Sequence, residues 1–177
     1  MPNVSLMPIK VSTKTSDAAV SDVVKAINYA VANGADIINM SLGSNDFSQT
    51  LKDACDYAVS KGLIVVAAAG NDGKPLSSYP AALPQCISVC AVASDGLPAY
   101  YTNYSFGCNI SAPGGEYYTG GKVDNDKGAI LSTMPTVRIK QIDKDGTVSY
   151  TATDYGYMQG TSMACPHLRS EEHTSEL

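Results

Sequence analysis

Three largely apolar runs constrain the fold of this chain more than any other feature. Residues 35–42, 63–69 and 86–93 are short, and each leads into a turn: Ser41-Leu42-Gly43, Gly70-Asn71-Asp72-Gly73 and Ser94-Asp95-Gly96. Runs of this length suit strands covered on both faces. Helical patterning lies beside them. In 17–33, Val20, Val24, Ile27 and Val31 share one helical face, with Ser16 as candidate cap and Asn33-Gly34 as stop. In 47–61 the pattern repeats through Leu51, Ala54, Cys55, Ala58 and Val59 and stops at Gly62. The stretch 4–11 reads as one more strand entering the sheet. Strands alternating with helices predict βαβ units, an α/β fold with a mainly parallel sheet and right-handed crossovers. Ligands of such sheets gather beyond the carboxyl ends of the strands, which is where Ser41-Leu42-Gly43 and Gly70-Asn71 sit.

At 177 residues the chain suits one domain. Its 44% hydrophobic and 16% charged content marks it as globular. A net charge of −5 and the lack of a Lys/Arg stripe argue against a nucleic-acid partner. No apolar run approaches the ~20 residues of a membrane span. Met1-Pro2-Asn3 lacks the basic start and apolar core of a signal peptide, so either the protein is cytosolic or its N-terminal part is expected upstream. The cysteines Cys55, Cys86, Cys90, Cys108 and Cys165 are odd in number and contain no Cys-x-x-Cys pair. Cys86 and Cys90 on one strand would be poor disulfide partners, so buried free thiols are expected and the redox compartment stays open.

Residues 137–152 differ in kind. Val137, Ile139 and Ile142 lead into Asp143-Lys144-Asp145-Gly146, followed by Val148-Ser149-Tyr150-Thr151. An Asp-Gly turn between two β-prone runs predicts a hairpin.

The stretch Gly160-Thr161-Ser162-Met163-Ala164-Cys165-Pro166-His167 places a serine in the first turn of a helix, directly behind a glycine. There its backbone N–H has no intrahelical partner, and the helix dipole favours negative charge. Most serines at such a helix start are N-caps; the same geometry also suits a nucleophile beside an oxyanion site. Upstream stand Asn39-Met40-Ser41-Leu42-Gly43 and Ala67-Ala68-Ala69-Gly70-Asn71-Asp72-Gly73, with Tyr79-Pro80-Ala81, Ala112-Pro113-Gly114 and 130–135 between. In this order the segments resemble the subtilisin-like serine peptidases, from about residue 4 to 167.

The resemblance implies a three-layer α/β fold with the 137–152 hairpin as an insertion, and a partial peptidase domain over 1–167. It implies Ser162 as nucleophile and Asn71 as the oxyanion-hole amide, although a Gly-Asn-Asp-Gly turn has local reasons for an asparagine. It further implies Ser41, Leu42 and Gly43 as one wall of the primary specificity pocket and Ala68, Ala69 and Gly70 as the facing wall. Asp72 falls at the rim and Ser78 at the base; an acid there would favour lysine or arginine in the substrate. A polypeptide substrate, a propeptide in the full-length precursor and an extracellular or cell-envelope location follow from the same resemblance. No cofactor is required. Calcium is compatible with carbonyls in 75–85 in the full-length protein.

One departure stands against this pattern. The family's catalytic aspartate and histidine motifs have no match here. His167 follows Ser162 by five residues on the same helix, so at ~100° per residue it points about 140° away; His173 is in the polar stretch 168–177, which resembles a translated adapter rather than the family's buried helix. Asp36 precedes a strand and does not match the catalytic acid. The chain alone is therefore expected to be inactive. A non-catalytic peptide-binding protein on the same fold is the alternative. A nucleotide-binding module lacks Gly-x-Gly-x-x-Gly, and an α/β-hydrolase elbow would need a glycine where Ala164 stands.

Overall fold

In the computed structural model, the three apolar runs become adjacent parallel strands. Residues 4–12, 18–104, 107–119, 122–123, 128–134, 139–142, 148–151 and 154–171 are described. The central strands are β1 (Ile37–Met40), β2 (Ile64–Ala68), β3 (Ile87–Val92) and β4 (Ile110–Pro113), in the order β1-β2-β3-β4. The register pairs Ile37 with Ile64, Val66 with Ile87 and Val89 with Ile110. The helices are α1 (Val20–Ala32), α2 (Gln49–Ser60) and α3 (Thr161–Glu171).

Successive residues of β2 face different cores, as strand pleating requires. Val65 and Ala67 pack with Val23, Ile27, Leu51, Ala54 and Ala58 from α1 and α2. Val66 and Ala68 pack with Val89, Ala91 and Ala112 of the sheet and with Ala164, Cys165 and Leu168 of α3. The sheet is thus the middle of three layers. The α3 side is dominated by alanine, and such small side chains let the helix settle close to the strands.

α2 forms as its sequence suggests. Ser48 caps it, its Oγ accepting from the Leu51 N–H at 3.3 Å, a contact worth about 1 kcal/mol. Its buried face is Leu51, Ala54, Cys55 and Ala58, while Val59 is exposed. α1 departs from expectation. Its N-cap is Ala19 without a side-chain cap, and Ser16 lies outside the described residues. Its buried face is Val23, Ile27 and Ala30, with Val20 exposed; the face is rotated toward the side where α2 and the sheet meet.

Three further expectations are corrected. Residues 4–12 form no strand, and Leu6 and Met7 are exposed; Pro8 has no N–H for a ladder. β1 is covered only in part: Ile38 and Met40 pack on the α1/α2 side and Ile37 on the α3 side, but the strand ends the sheet among the described residues and Asn39 is exposed. The cysteines are not all free. Cys90 on β3 and Cys108, on the segment entering β4, form a disulfide with Cα atoms 6.3 Å apart, while Cys55, Cys86 and Cys165 are buried thiols. The register of β3 with β4 sets Ser111 opposite Cys90, and Cys108 reaches Cys90 from the segment before β4, a neighbour that sequence spacing does not reveal.

Between β4 and α3 the chain forms two-stranded antiparallel ribbons. β5 (Tyr118–Thr119) pairs with β6 (Lys122–Val123), β7 (Ile130–Thr133) with β10 (Tyr155–Met158), and β8 (Ile139–Ile142) with β9 (Val148–Thr151). The Asp143-Lys144-Asp145-Gly146 turn lies outside the described residues. α3 runs to Glu171, and Leu168 is 7% exposed within its core, so the first residue of the stretch read as an adapter tail belongs to the fold. Residues 172–177 lie outside the described residues. Among the described residues no helix is long and apolar enough to cross a membrane.

Candidate active site

The carboxyl ends of β1 and β2 and the start of α3 meet around a cleft of about 290 Å³. Leu42, Gly43, Ser44 and Asn45, following β1, line one side. Ala68, Gly70, Asn71, Asp72 and Ser78 line the other, and Thr161 and Ser162 close it. The two walls are tied together by a reciprocal bridge: Ser44 N–H donates to the Tyr79 carbonyl at 2.9 Å, and Tyr79 N–H to the Ser44 carbonyl at 2.8 Å.

Two of the residues expected to line the walls do not. Ser41 turns toward α3; its Oγ donates to the Ser162 carbonyl at 2.8 Å. Ala69 is fully buried, and its carbonyl accepts from Ser78 N–H at 2.8 Å and from Asn103 Nδ2 at 3.1 Å. Ser78 is 7% exposed at the floor, and Asp72 is exposed at the mouth.

The start of α3 is built by Gly160 and Asn71. Gly160 has φ +147°, a conformation that side chains disfavour. Its carbonyl accepts the N–H groups of Met163 and Ala164, leaving Thr161 and Ser162 with the first free N–H groups. Asn71 Oδ1 takes the Thr161 N–H at 2.8 Å and the Thr161 hydroxyl at 2.9 Å. A backbone N–H can only donate, so the atom facing it must be the amide oxygen. That leaves the Asn71 amide nitrogen, a donor, with no acceptor among the described residues. The Ser162 N–H likewise has none.

Thr161, fully buried, completes a chain: its Oγ1 accepts from Gly70 N–H at 3.2 Å and donates to Asn71. Sequence reasoning passed over this residue, although it stands between Gly160 and Ser162. Asn103, also unmarked in the sequence, is 1% exposed behind the loop. Gly70 sits against it. Its φ is +109°, and a Cβ there would lie 2.3 Å from Asn103 Nδ2 and 2.5 Å from Ser78 Oγ, so glycine is required both by conformation and by space.

The other side of Ser162 is different. Its Oγ donates to the Ser41 carbonyl at 3.2 Å, and a carbonyl cannot take a proton as a base would. His167 directs Nδ1 to the Met163 carbonyl at 2.8 Å, within its own helix. His173 lies outside the described residues. Asp36 precedes β1, at the end of that strand remote from the cleft. Burial pushes the Cys165 thiol up to about 12, partly offset by a bond to Ser41, so it stays protonated and unreactive at neutral pH. Among the described residues no group of three His, Cys, Asp or Glu side chains is placed to hold a metal ion.

Comparison with known proteins bears on the family and the fold. The model of the subtilase family of peptidases matches residues 1–168. The thermophilic serine proteinase of Bacillus sp. (strain AK1) is 35% identical over 167 residues, which cover 94% of this chain and 34% of that protein. Subtilisin DY of Bacillus licheniformis is 34% identical over 171 residues, covering 94% and 52% respectively. A protease structure from Pseudoalteromonas arctica PAMC 21717 superposes with a TM-score of 0.69 at 33% identity, over 85% of this chain and 44% of that one. A lanthipeptide protease shares the fold with a TM-score of 0.78 at 24% identity, over 94% and 54%. The chain therefore spans about a third to a half of the length of these relatives. With a parallel sheet, a Gly-Thr-Ser helix start and an asparagine amide aimed at one cleft, the chain belongs to the subtilase family.

Proposed function

We propose that the full-length protein containing this chain is a serine endopeptidase that cleaves polypeptides through an acyl-enzyme. One observation carries the reading: among the described residues the Asn71 amide nitrogen and the Ser162 N–H are both donors without an acceptor beside one cleft, and the Asn71 oxygen is anchored by Thr161. In this reading Ser162 Oγ attacks the scissile carbonyl, and the carbonyl oxygen becomes an oxyanion. The two donors stabilise it, and the dipole of α3 adds to them. The substrate side chain enters between 42–45 and 68–72, over Ser78. An extended substrate backbone lies along 41–43 as an added strand, and Asp72 at the mouth favours a basic side chain.

The proton of Ser162 Oγ needs a base, and neither His167 nor any acid of the described residues reaches it. The base is assigned to a part of the protein outside this chain, in keeping with the fraction of its relatives the chain covers. The isolated chain then lacks useful turnover, retaining only what binding and oxyanion stabilisation provide. An extracellular location is proposed from the family, from a relative named extracellular protease in Xanthomonas campestris, and from the Cys90–Cys108 disulfide, a bond of oxidising compartments.

The test compares two proteins on casein and on a peptide ester. The full-length product is expected to hydrolyse both, with activity abolished by Ser162→Ala, and the chain alone to hydrolyse neither. Full-length protein that binds peptides but shows no Ser162-dependent turnover would instead support the non-catalytic reading. So would an upstream reading frame without Asp and His motifs.

A further inference from the structure

We infer that Asn103 is a positioning residue for the oxyanion site, holding the 69–74 loop so that the Asn71 amide faces the cleft. The inference rests on the peptidase reading above. Asn103 does not line the cleft. It is buried to 1% exposure behind the loop, and the loop wraps around its carboxamide.

The hydrogen bonds show how. Asn103 Oδ1 accepts from Asp72 N–H at 2.9 Å and from Lys74 N–H at 3.2 Å. Its Nδ2 donates to the Ala69 carbonyl at 3.1 Å, and its main-chain N–H donates to the Gly70 carbonyl at 2.9 Å. Asn71 is thus bracketed: residues 69 and 70 before it and residue 72 after it are all tied to Asn103. The main chain of the same segment adds Gly73 N–H to the Tyr101 carbonyl at 2.8 Å and Tyr104 N–H to the Lys74 carbonyl at 2.9 Å. What Thr161 does for the Asn71 side chain, Asn103 does for its backbone.

The residue type follows from this task. A carboxamide carries two donor and two acceptor positions, and three of the four are used here. An aspartate would keep both acceptors but lose the donor to Ala69. A leucine of similar shape would leave the Asp72 and Lys74 N–H groups without this acceptor. Glutamine is one methylene longer, and Gly70 is already so close that it has no room for a Cβ. Small displacements of a reacting or stabilising group are expensive in rate, so a loosened loop should register in turnover before it registers in the fold.

A double-mutant cycle in the full-length protein tests this, with Asn71→Ala as the second substitution. Asn103→Ala is expected to lower kcat about 10- to 100-fold in the parent, and by less than about twofold once Asn71 is already alanine. Hydrogen exchange at the Asp72 and Lys74 amides is expected to speed up by about tenfold or more in Asn103→Ala. Asn103→Asp keeps both acceptors, so those amides stay protected and kcat falls less. Should Asn103→Ala fail to fold, the cycle is run with Asn103→Asp, with the same non-additivity expected. Equal losses of kcat in both Asn71 backgrounds, or unchanged exchange at Asp72 and Lys74 in Asn103→Ala, overturn the inference. A parent without any Ser162-dependent turnover sinks the peptidase reading itself, and this inference with it; that outcome is recognised because Asn71→Ala then changes nothing.

Discussion

On one side of Ser162 the polar groups are joined into a single network. Asn71 holds the first N–H of α3, Thr161 joins Asn71 to Gly70, and Asn103 ties Ala69, Asp72 and Lys74 to one carboxamide. On the other side, among the described residues, the Ser162 hydroxyl meets only the Ser41 carbonyl, and His167 is turned back on its own helix. The contrast separates two parts of acyl-transfer chemistry. In the proposed chemistry, stabilising the oxyanion needs only strand ends, a helix start and a fixed amide, all present among the described residues. Removing the proton needs a titratable group brought from elsewhere.

The sharpest way to break the comparison is Ser162→Ala. In the full-length protein it should remove at least about 10³-fold of kcat/KM on a peptide ester, and in the isolated chain it should change nothing. A Ser162-dependent rate in the isolated chain would mean that a base is present after all.

Asn71→Ala comes next and probes the wired side alone. A loss on the order of 10²–10³ in kcat is expected, the size seen when a subtilisin loses an oxyanion-hole donor, with KM little changed. An unchanged kcat would place the oxyanion elsewhere.

Gly70→Ala asks whether the wiring is also structural. It forces a side chain into φ +109° and against Asn103 and Ser78, which should cost about 3 kcal/mol, read as a lowered urea midpoint. An unchanged midpoint would show that the loop has slack.

Cys108→Ser tests the brace behind the same loop, since Asn103 falls within the segment that the disulfide closes, whose cysteines are 18 apart in sequence. A loss of about 3 kcal/mol is expected from loop closure, and reductant should reproduce it in the parent.

The smallest effect is alkaline. Burial pushes Tyr101 up to about 12, and its hydroxyl donates to the Gly114 and Gly115 carbonyls beneath the Gly160 turn. A folded value above the unfolded one near 10 means that this contribution is intact below pH ~10 and is lost as pH rises through about 12. Tyr101→Phe should make the fall in stability across that window shallower, as measured by urea unfolding at a series of pH values.

Much of the wired side was legible in the sequence because local patterns produce it. The strand runs, the apolar face of α2, the Gly-Thr-Ser start and the Gly70-Asn71 turn are all short-range signals. What was not legible depends on pairing across the sheet. β4 is a four-residue strand containing Ser111 and ending in Pro113, too polar and short to show periodicity. The Cys90–Cys108 bridge needs that strand in register. Asn103 reads as an ordinary polar residue until the fold wraps a loop around it. The rotation of α1, which exposes Val20 and buries Val23, is set by where α2 and the sheet lie, and helical period alone does not choose between adjacent faces.

The most direct measurement is a crystal structure of the full-length protein with a peptide boronic acid bound to Ser162 Oγ. One boronate oxygen is expected within about 3 Å of both Asn71 Nδ2 and the Ser162 nitrogen, with Asn71 Oδ1 still on Thr161. An adduct whose oxygens face away from Asn71, or an Asn71 amide rotated off Thr161, would contradict the account.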